Sequence, residues 1–360
     1  MGTAALSSTI ELATPANGEE IHDFLYPHGF IHPDLDRDAF AACWRHQFFG
    51  SGEACVLVAR NREGRLVGHY GLMPVPYVVD GKPMRAGYFC QLFVEPAYRR
   101  TPLFIQMERR LLREYRGFGF DFLHALIIIE PVLKQHLALG FSRGPAYHTY
   151  LFPLRLGSGC KSAWPKAPAF AASAFDGVCG GIGRAALALR RPAWRGVEIA
   201  EVSASDLDAG LLNRIVAGRR MYADHSPQAI ARRTASFGGK RYRIFAARGG
   251  GLDRGYLILR HTRVQRFDVA AIIDVIAPPD DDATWNGLLA HACRAGVEAG
   301  RYAVVAAAPA GTPTARHLND NLFLRTPSHS WLVYAVPPDL APGMPPLDDW
   351  WSGWYDHDYI

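Results

Sequence analysis

Apolar and polar residues alternate along this chain with two periods, and the points where one period gives way to the other mark its elements. A short strand near Ile10 leads into helical spacing over Glu19–Tyr26 and Leu35–Phe48. From Ala54 onward, β-rich runs are broken by turn signals at Asn61–Gly64 and Asp80–Gly81, which predicts an antiparallel meander ending in QLFVEP. Leu103–Arg116 then carries Leu103, Phe104, Met107, Leu111 and Leu112 on one face and Glu108, Arg109, Arg110 and Arg113 on the other. A strand at Phe122–Ile129, a helix at Pro131–Leu139 closed by Gly140, and a strand at Tyr147–Leu154 complete a first unit.

The second half repeats that order. Strand Val197–Val202 precedes helices at Asp206–Arg219 and Pro227–Ser236. Strands follow at Tyr242–Arg248, Gly255–His261 and Val269–Ile276, then a helix at Ala283–Ala299 and a strand at Tyr302–Ala308. A helix near Thr314–Asn321 and a strand at Ser330–Val336 close it. The order β-α-α-β-β-β-α-β-α-β thus occurs twice without evident sequence identity, which predicts a structural repeat. The expected boundaries are 1–156 and 197–337, joined by a Gly/Ala/Pro-rich connector at 157–196 and followed by an aromatic and acidic tail at 338–360. The connector is apolar enough to be weighed as a membrane span, but Asp176, Arg184 and its small-residue breaks favour a helix packed between domains.

Composition narrows the function. Half of the 360 residues are hydrophobic and a fifth are charged, the balance of a globular protein. The net charge of +5 comes without basic blocks, which argues against nucleic acid as a partner. Six scattered cysteines form no C-x-x-C pair and read as reduced, buried residues, and no histidine–carboxylate pair has the spacing of a metal site. No basic region followed by an apolar run opens the chain, so the expected location is the cytoplasm.

The stretch with most chemistry in it is Gln91–Tyr115, a strand, a turn with two arginines, and a helix. A strand feeding a helix N-terminus gathers unpaired N–H groups and the positive helix end at one point, an anion site. With QLFVEPAYRRTPLF at the fourth strand and HLALGF near the end of the unit, residues 9–155 resemble the GNAT superfamily of acyl-CoA-dependent N-acyltransferases. By element order the resemblance extends to 197–337. It implies an α+β protein of two tandem GNAT-like folds, each a mostly antiparallel sheet flanked by helices.

In that family the turn after the fourth strand reads Gln/Arg-x-x-Gly-x-Gly/Ala, and its N–H groups hold the cofactor pyrophosphate. Val94, Glu95 and Pro96 match the residues before it, Tyr98 and Arg99 the aromatic–Arg pair. The resemblance implies acetyl-CoA or another acyl-CoA as co-substrate and no metal. Arg99, Arg100, Thr101, Leu103 and Phe104 would hold the cofactor, and strand backbone at Leu92, Phe93 and Val94 would polarise its carbonyl. Pro102 and Phe104 depart from the pattern, standing where the two glycines belong. Each N–H lost to a phosphate forfeits about 1.5–3 kcal/mol, which the two arginines offset in part.

In many family members a tyrosine four residues before a Gly-Phe pair protonates the leaving thiolate. Counting back from Gly140 and Phe141 puts His136 there, either as the acid or as a histidine packing on the sheet. Glu95 and Glu130 read as surface or capping carboxylates rather than a base. The second copy of the turn, with Pro278, Pro279 and three aspartates, caps a helix and repels a pyrophosphate, so this half is expected to wall the substrate cleft. An amino sugar or other small-molecule amine in the cleft between halves is the expected acceptor. The alternative is a catalytically degenerate tandem fold that binds a ligand or a protein. A tRNA-dependent aminoacyl transferase is disfavoured by the low charge density.

Overall fold

The computed structural model describes residues 7–31, 35–50, 52, 55–155, 181, 194–238, 241–264, 267–346 and 350–351. Most of the connector expected at 157–196 and about half of the tail expected at 338–360 lie outside them. The first half runs β1 (Thr9–Leu12), α1 (Gly18–Leu25), α2 (Arg37–Phe49), β2 (Cys55–Arg60), β3 (Leu66–Val79), β4 (Lys82–Val94), α3 (Leu103–Glu114), β5 (Phe122–Ile127), α4 (Glu130–Ala138) and β6 (Ser142–Pro153). The second runs β7 (Glu198–Val202), α5 (Ala209–Val216), β8 (Met221–Ala223), α6 (Pro227–Arg233), β9 (Tyr242–Gly249), β10 (Leu252–Val264) and β11 (Phe267–Ile276). It ends with α7 (Asp282–Glu298), β12 (Ala303–Pro309), α8 (Pro313–Asp320), β13 (Leu324–Ala335) and β14 (Trp350–Trp351).

The expected repeat is present, with differences at its edges. The α5 helix is shorter than its sequence pattern because Ala217 already leaves helical geometry and Gly218 follows at φ 83°. β6 and β13 each begin five or six residues before the apolar run that announced them, since pairing rather than hydrophobicity sets their starts. Two short strands were not legible at all. β8 pairs with β3 of the first half, and β14 pairs with β8.

Among the described residues the fourteen strands form one sheet, in the order β1-β2-β3-β4-β5-β13-β6-β12-β11-β10-β9-β7, with β8 and β14 off that path. The order is a palindrome of the two repeats except at its centre. There each half gives its last strand to the other: β13 pairs with β5, and β6 with β12. The sheet's two faces are covered differently. On one, a single apolar cluster joins Phe40, Trp44 and Phe48 of α2 to Leu211, Leu212 and Ile230 of α5 and α6. On the other, α3 and α4 cover the first half with Leu103, Met107, Leu111 and Leu133, while α7 and α8 cover the second with Trp285, Leu288 and Leu318.

Two backbone features set up the functional end of the first half. Asp80 (φ 47°) and Gly81 (φ 75°) make the two-residue turn that fixes the β3–β4 register, Val79 opposite Lys82. At the far end the register slips by one residue between His69–Phe93 and Gly71–Cys90, a β-bulge at Gln91, whose φ is 54°. The bulge inverts the alternation of β4. Before it Ala86, Tyr88 and Cys90 face the cluster of α1 and α2; beyond it Phe93 does, while Leu92 and Val94 turn to α3. A β-branched residue resists φ near +54°, so Gln91→Val is expected to lower stability by about 1–2 kcal/mol in denaturant unfolding. Wild-type stability in that variant would mean the bulge is not there.

Candidate functional site

β4 and β5 run parallel but pair only at Ala86–Phe122, Gly87–Leu123 and Tyr88–His124. Past that point β5 is paired only on its other edge, with β13, and β4 only with β3. The two strands therefore part at Phe89 and Ala125, and the gap opens toward their C-terminal ends. The bulge at Gln91 lies on one side of this gap. Its carbonyl accepts from His69 Nδ1 at 2.8 Å, so the histidine is held as the Nδ1–H form. Burial lowers the His69 pKa to about 4, which keeps the ring neutral.

The arginine turn stands where β4 ends. Glu95 N–H bonds Val67 O at 2.9 Å, a 3-10 turn covers Pro96–Tyr98, and Thr101 Oγ1 donates to Tyr98 O at 2.7 Å. Pro102 is the N-cap of α3 and makes no side-chain cap bond itself; Thr101 Oγ1 accepts from Leu103 N at a long 3.4 Å, and the Thr101 N–H is spent on Tyr98 O at 3.0 Å. Arg99 and Arg100 are exposed beside this end. Arg99 Nε donates to Val94 O at 3.0 Å, and its guanidinium lies 5.5 Å from the centre of the Phe93 ring. Glu95 is bound on both oxygens by Arg65 at 3.0 Å, and exposed Glu130 pairs with Lys134, so neither stands as an unengaged base.

His136 is placed differently from the other expected residues. Its side chain is fully buried, enclosed by Tyr70, Phe89, Phe104 and Phe141. Nδ1–H donates to Val132 O at 2.9 Å, which leaves Nε2 as an acceptor. Glu108 Oε1 lies 3.1 Å from that Nε2, and Tyr70 Oη lies 3.3 Å from it. Burial lowers the His136 pKa and raises that of Glu108 to about 8. The pair is thus neutral near pH 7, a carboxylic acid beside an imidazole lone pair.

Glu108 corrects the helix-face reading. Assigned to the polar face of α3, it has no exposed surface at all. The helix buries a stripe wide enough to include it, one turn from Phe104, because α4 closes over that side. The spacing Phe104–Glu108–Leu111 was the available signal, and residue type outweighed it. Phe104 itself, standing for the second glycine, fills the space between α3 and α4, with its ring centre 6.0 Å from Tyr70 and 6.1 Å from His136.

The second half retains the bulge but not the open helix end. The β10–β11 register slips by one residue between Ile258 and Leu259, opposite Ile273. Asp281 then caps α7, accepting from Thr284 N at 3.1 Å and Thr284 Oγ1 at 2.6 Å, and Arg254 binds both of its oxygens. Partial burial raises the Asp281 pKa, yet the Thr284 and Arg254 bonds outweigh it and hold the carboxyl below its ordinary value. An anion arriving here would meet a carboxylate already in place.

A cavity of about 40 Å³ lies between the halves, lined by His46, Met73, Pro76, Arg232 and Phe237 among others. Met73 and Pro76 stand opposite Tyr88 and Arg85 of β4. His225 pairs with Asp274 at 2.7 Å, and His261 Nδ1 accepts from Arg301 at 2.9 Å. Among the described residues no cluster of three or more His, Cys, Asp or Glu could hold a metal ion. No described helix is long and apolar enough to cross a membrane.

Residues 35–129 match the family described as acetyltransferase (GNAT) domain. No curated protein sequence matches the chain. Among solved structures, Saccharomyces cerevisiae N-myristoyltransferase with bound myristoyl-CoA aligns at TM-score 0.64 and 12% identity, over 93% of this chain and 83% of the other. A GCN5-related N-acetyltransferase from Kribbella flavida aligns at 0.60 and 13%, over 95% and 74%. A tandem GNAT protein from the clavulanic acid biosynthesis pathway aligns at 0.58 and 15%, over 92% and 98%. At these identities the likeness is one of fold.

Proposed function

We propose that this chain, a tandem GNAT fold, is an N-acyltransferase that moves an acyl group directly from coenzyme A to a primary amine. The observation that carries the reading is the contrast between two equivalent turns. The first meets the N-terminus of α3 with no capping carboxylate, only a long Thr101 hydroxyl contact, beside Arg99 and Arg100, while the second is closed by the Asp281 carboxylate and Arg254. Selection of an anion needs the first arrangement and is blocked by the second.

In this reading the pyrophosphate lies on the turn, met by the Arg99 and Arg100 side chains and by the N–H groups of Leu103 and Phe104, the former giving up its long contact with Thr101 Oγ1, while the Thr101 N–H stays on Tyr98 O. The pantetheine passes through the gap between β4 and β5, and backbone at Leu92–Val94 faces the thioester carbonyl. The neutral amine attacks the carbonyl carbon, the C–N bond forms and the C–S bond breaks. The amine gives up a proton and the thiolate takes one. His136 is the candidate donor to sulfur, but with Nδ1–H committed to Val132 its Nε2 must first receive a proton, for which the Glu108 carboxyl at 3.1 Å is the source. The α3–α4 contact must also part to admit the sulfur. The second half walls the acceptor cleft, and an amino sugar or other small-molecule amine is the acceptor class.

The filling of the α3–α4 space by Phe104 favours a second reading, a degenerate fold that binds a ligand or protein without catalysis. Calorimetry with CoA and acetyl-CoA separates the two. Heat of binding at or below millimolar ligand is expected, and its absence would sink the transferase reading.

A further inference from the structure

We propose that the acyl group received at this site is an extended apolar chain, longer than acetyl. The inference rests on the acyltransferase reading and concerns the two lips of the gap between β4 and β5. Their paired residues fix a parallel register, Ala86 with Phe122 through Tyr88 with His124. Carrying that register past the one extra residue at Gln91 sets Ile128 and Ile129 level with Phe93 and Val94. These two isoleucines are 79% and 61% exposed.

The opposite lip is apolar as well. Phe93 is buried under Phe24, His28 and Phe30, whose ring centres lie 5.3, 4.4 and 4.9 Å from its own. Phe30 is itself 46% exposed. Single exposed apolar residues need no explanation, but these stand on both sides of the opening through which a thioester would pass. A lone methyl group covers almost none of that surface. The lips are level with Leu92–Val94, the backbone assigned to the carbonyl, so the substituent on the carbonyl carbon meets them whichever amine approaches. That position selects the acyl chain over the acceptor as occupant.

The test is calorimetry on the full chain with CoA, acetyl-CoA and decanoyl-CoA. Burial of several methylenes is expected to make decanoyl-CoA bind at least about tenfold more tightly than acetyl-CoA. A double variant, Ile128→Ser with Ile129→Ser, alters only exposed side chains. It should bring decanoyl-CoA and acetyl-CoA to near-equal affinity, each taken relative to CoA in the same variant. Equal affinities in the wild-type chain overturn the proposal, and so does a decanoyl gain that survives the double variant. If CoA binds and the chain adds nothing, only this inference falls. If neither CoA nor any ester binds, the acyltransferase reading falls and takes it along.

Discussion

Glu108→Ala is expected to lower the unfolding free energy by about 2–4 kcal/mol, from a cavity in the α3–α4 contact and a buried polar group left short of a partner. No surface of Glu108 is exposed, and its Oε1 lies 3.1 Å from His136 Nε2. The pH dependence gives a finer test. The Glu108 carboxyl is raised by burial from 4.5 to about 8, so above pH 4.5 the unfolded chain has lost a proton the folded one keeps. That makes stability fall as pH rises toward 8, by at most about 1.4 kcal/mol per unit. His136, lowered by burial from 6.5, works the other way, because the unfolded state binds the extra proton below that value. The two oppose each other between pH 4.5 and 6.5, and only the Glu108 effect remains above. A decline in urea midpoint from pH 6.5 to 8 is therefore expected, and Glu108→Gln should flatten it. A flat wild-type profile would mean the acid is not buried.

Removing both turn arginines, Arg99→Ala with Arg100→Ala, is expected to weaken CoA binding by roughly a hundredfold. Each charge-assisted phosphate contact contributes about 1.5–3 kcal/mol at full strength, and screening of exposed groups trims it. The salt dependence of the affinity should fall along with it. Because Arg99 also bonds Val94 O, its single variant disturbs the end of β4, whereas Arg100→Ala isolates the charge. Calorimetric titration at two salt concentrations reads both quantities. Unchanged affinity in the double variant would refute the phosphate assignment.

The turn itself was legible because its cues are local. Val94, Pro96, Arg99 and a proline tolerated at a helix start lie within a dozen residues of one another. The bulge was not, since Gln91 has no property that marks an extra residue in a strand, and the slip is defined only against His69 and Gly71 of β3. Nor was the burial of Glu108 readable, as a carboxylate on a helix is ordinarily solvated and only the arrival of α4 encloses this one. The acidic second turn was legible for the same local reason as the first, and Asp281 caps α7 as its residue type suggests.

By itself the sequence determined the elements other than β8 and β14, and their twofold order, because hydrophobic period, turn residues and caps act over a few neighbouring positions. It also determined that the two turns would differ, since Arg99 and Arg100 stand at one and Asp280, Asp281 and Asp282 at the other. Only the tertiary structure decided which strands lie side by side at the centre of the sheet. β6 and β13 are alike in length and patterning, and each offers the same ladder of N–H and C=O groups to either neighbour. Nothing local distinguishes pairing within a half from exchange between halves. The choice falls to the packing of the whole sheet, and it places β13 beside β5, on the far side of the gap where the proposed chemistry would occur.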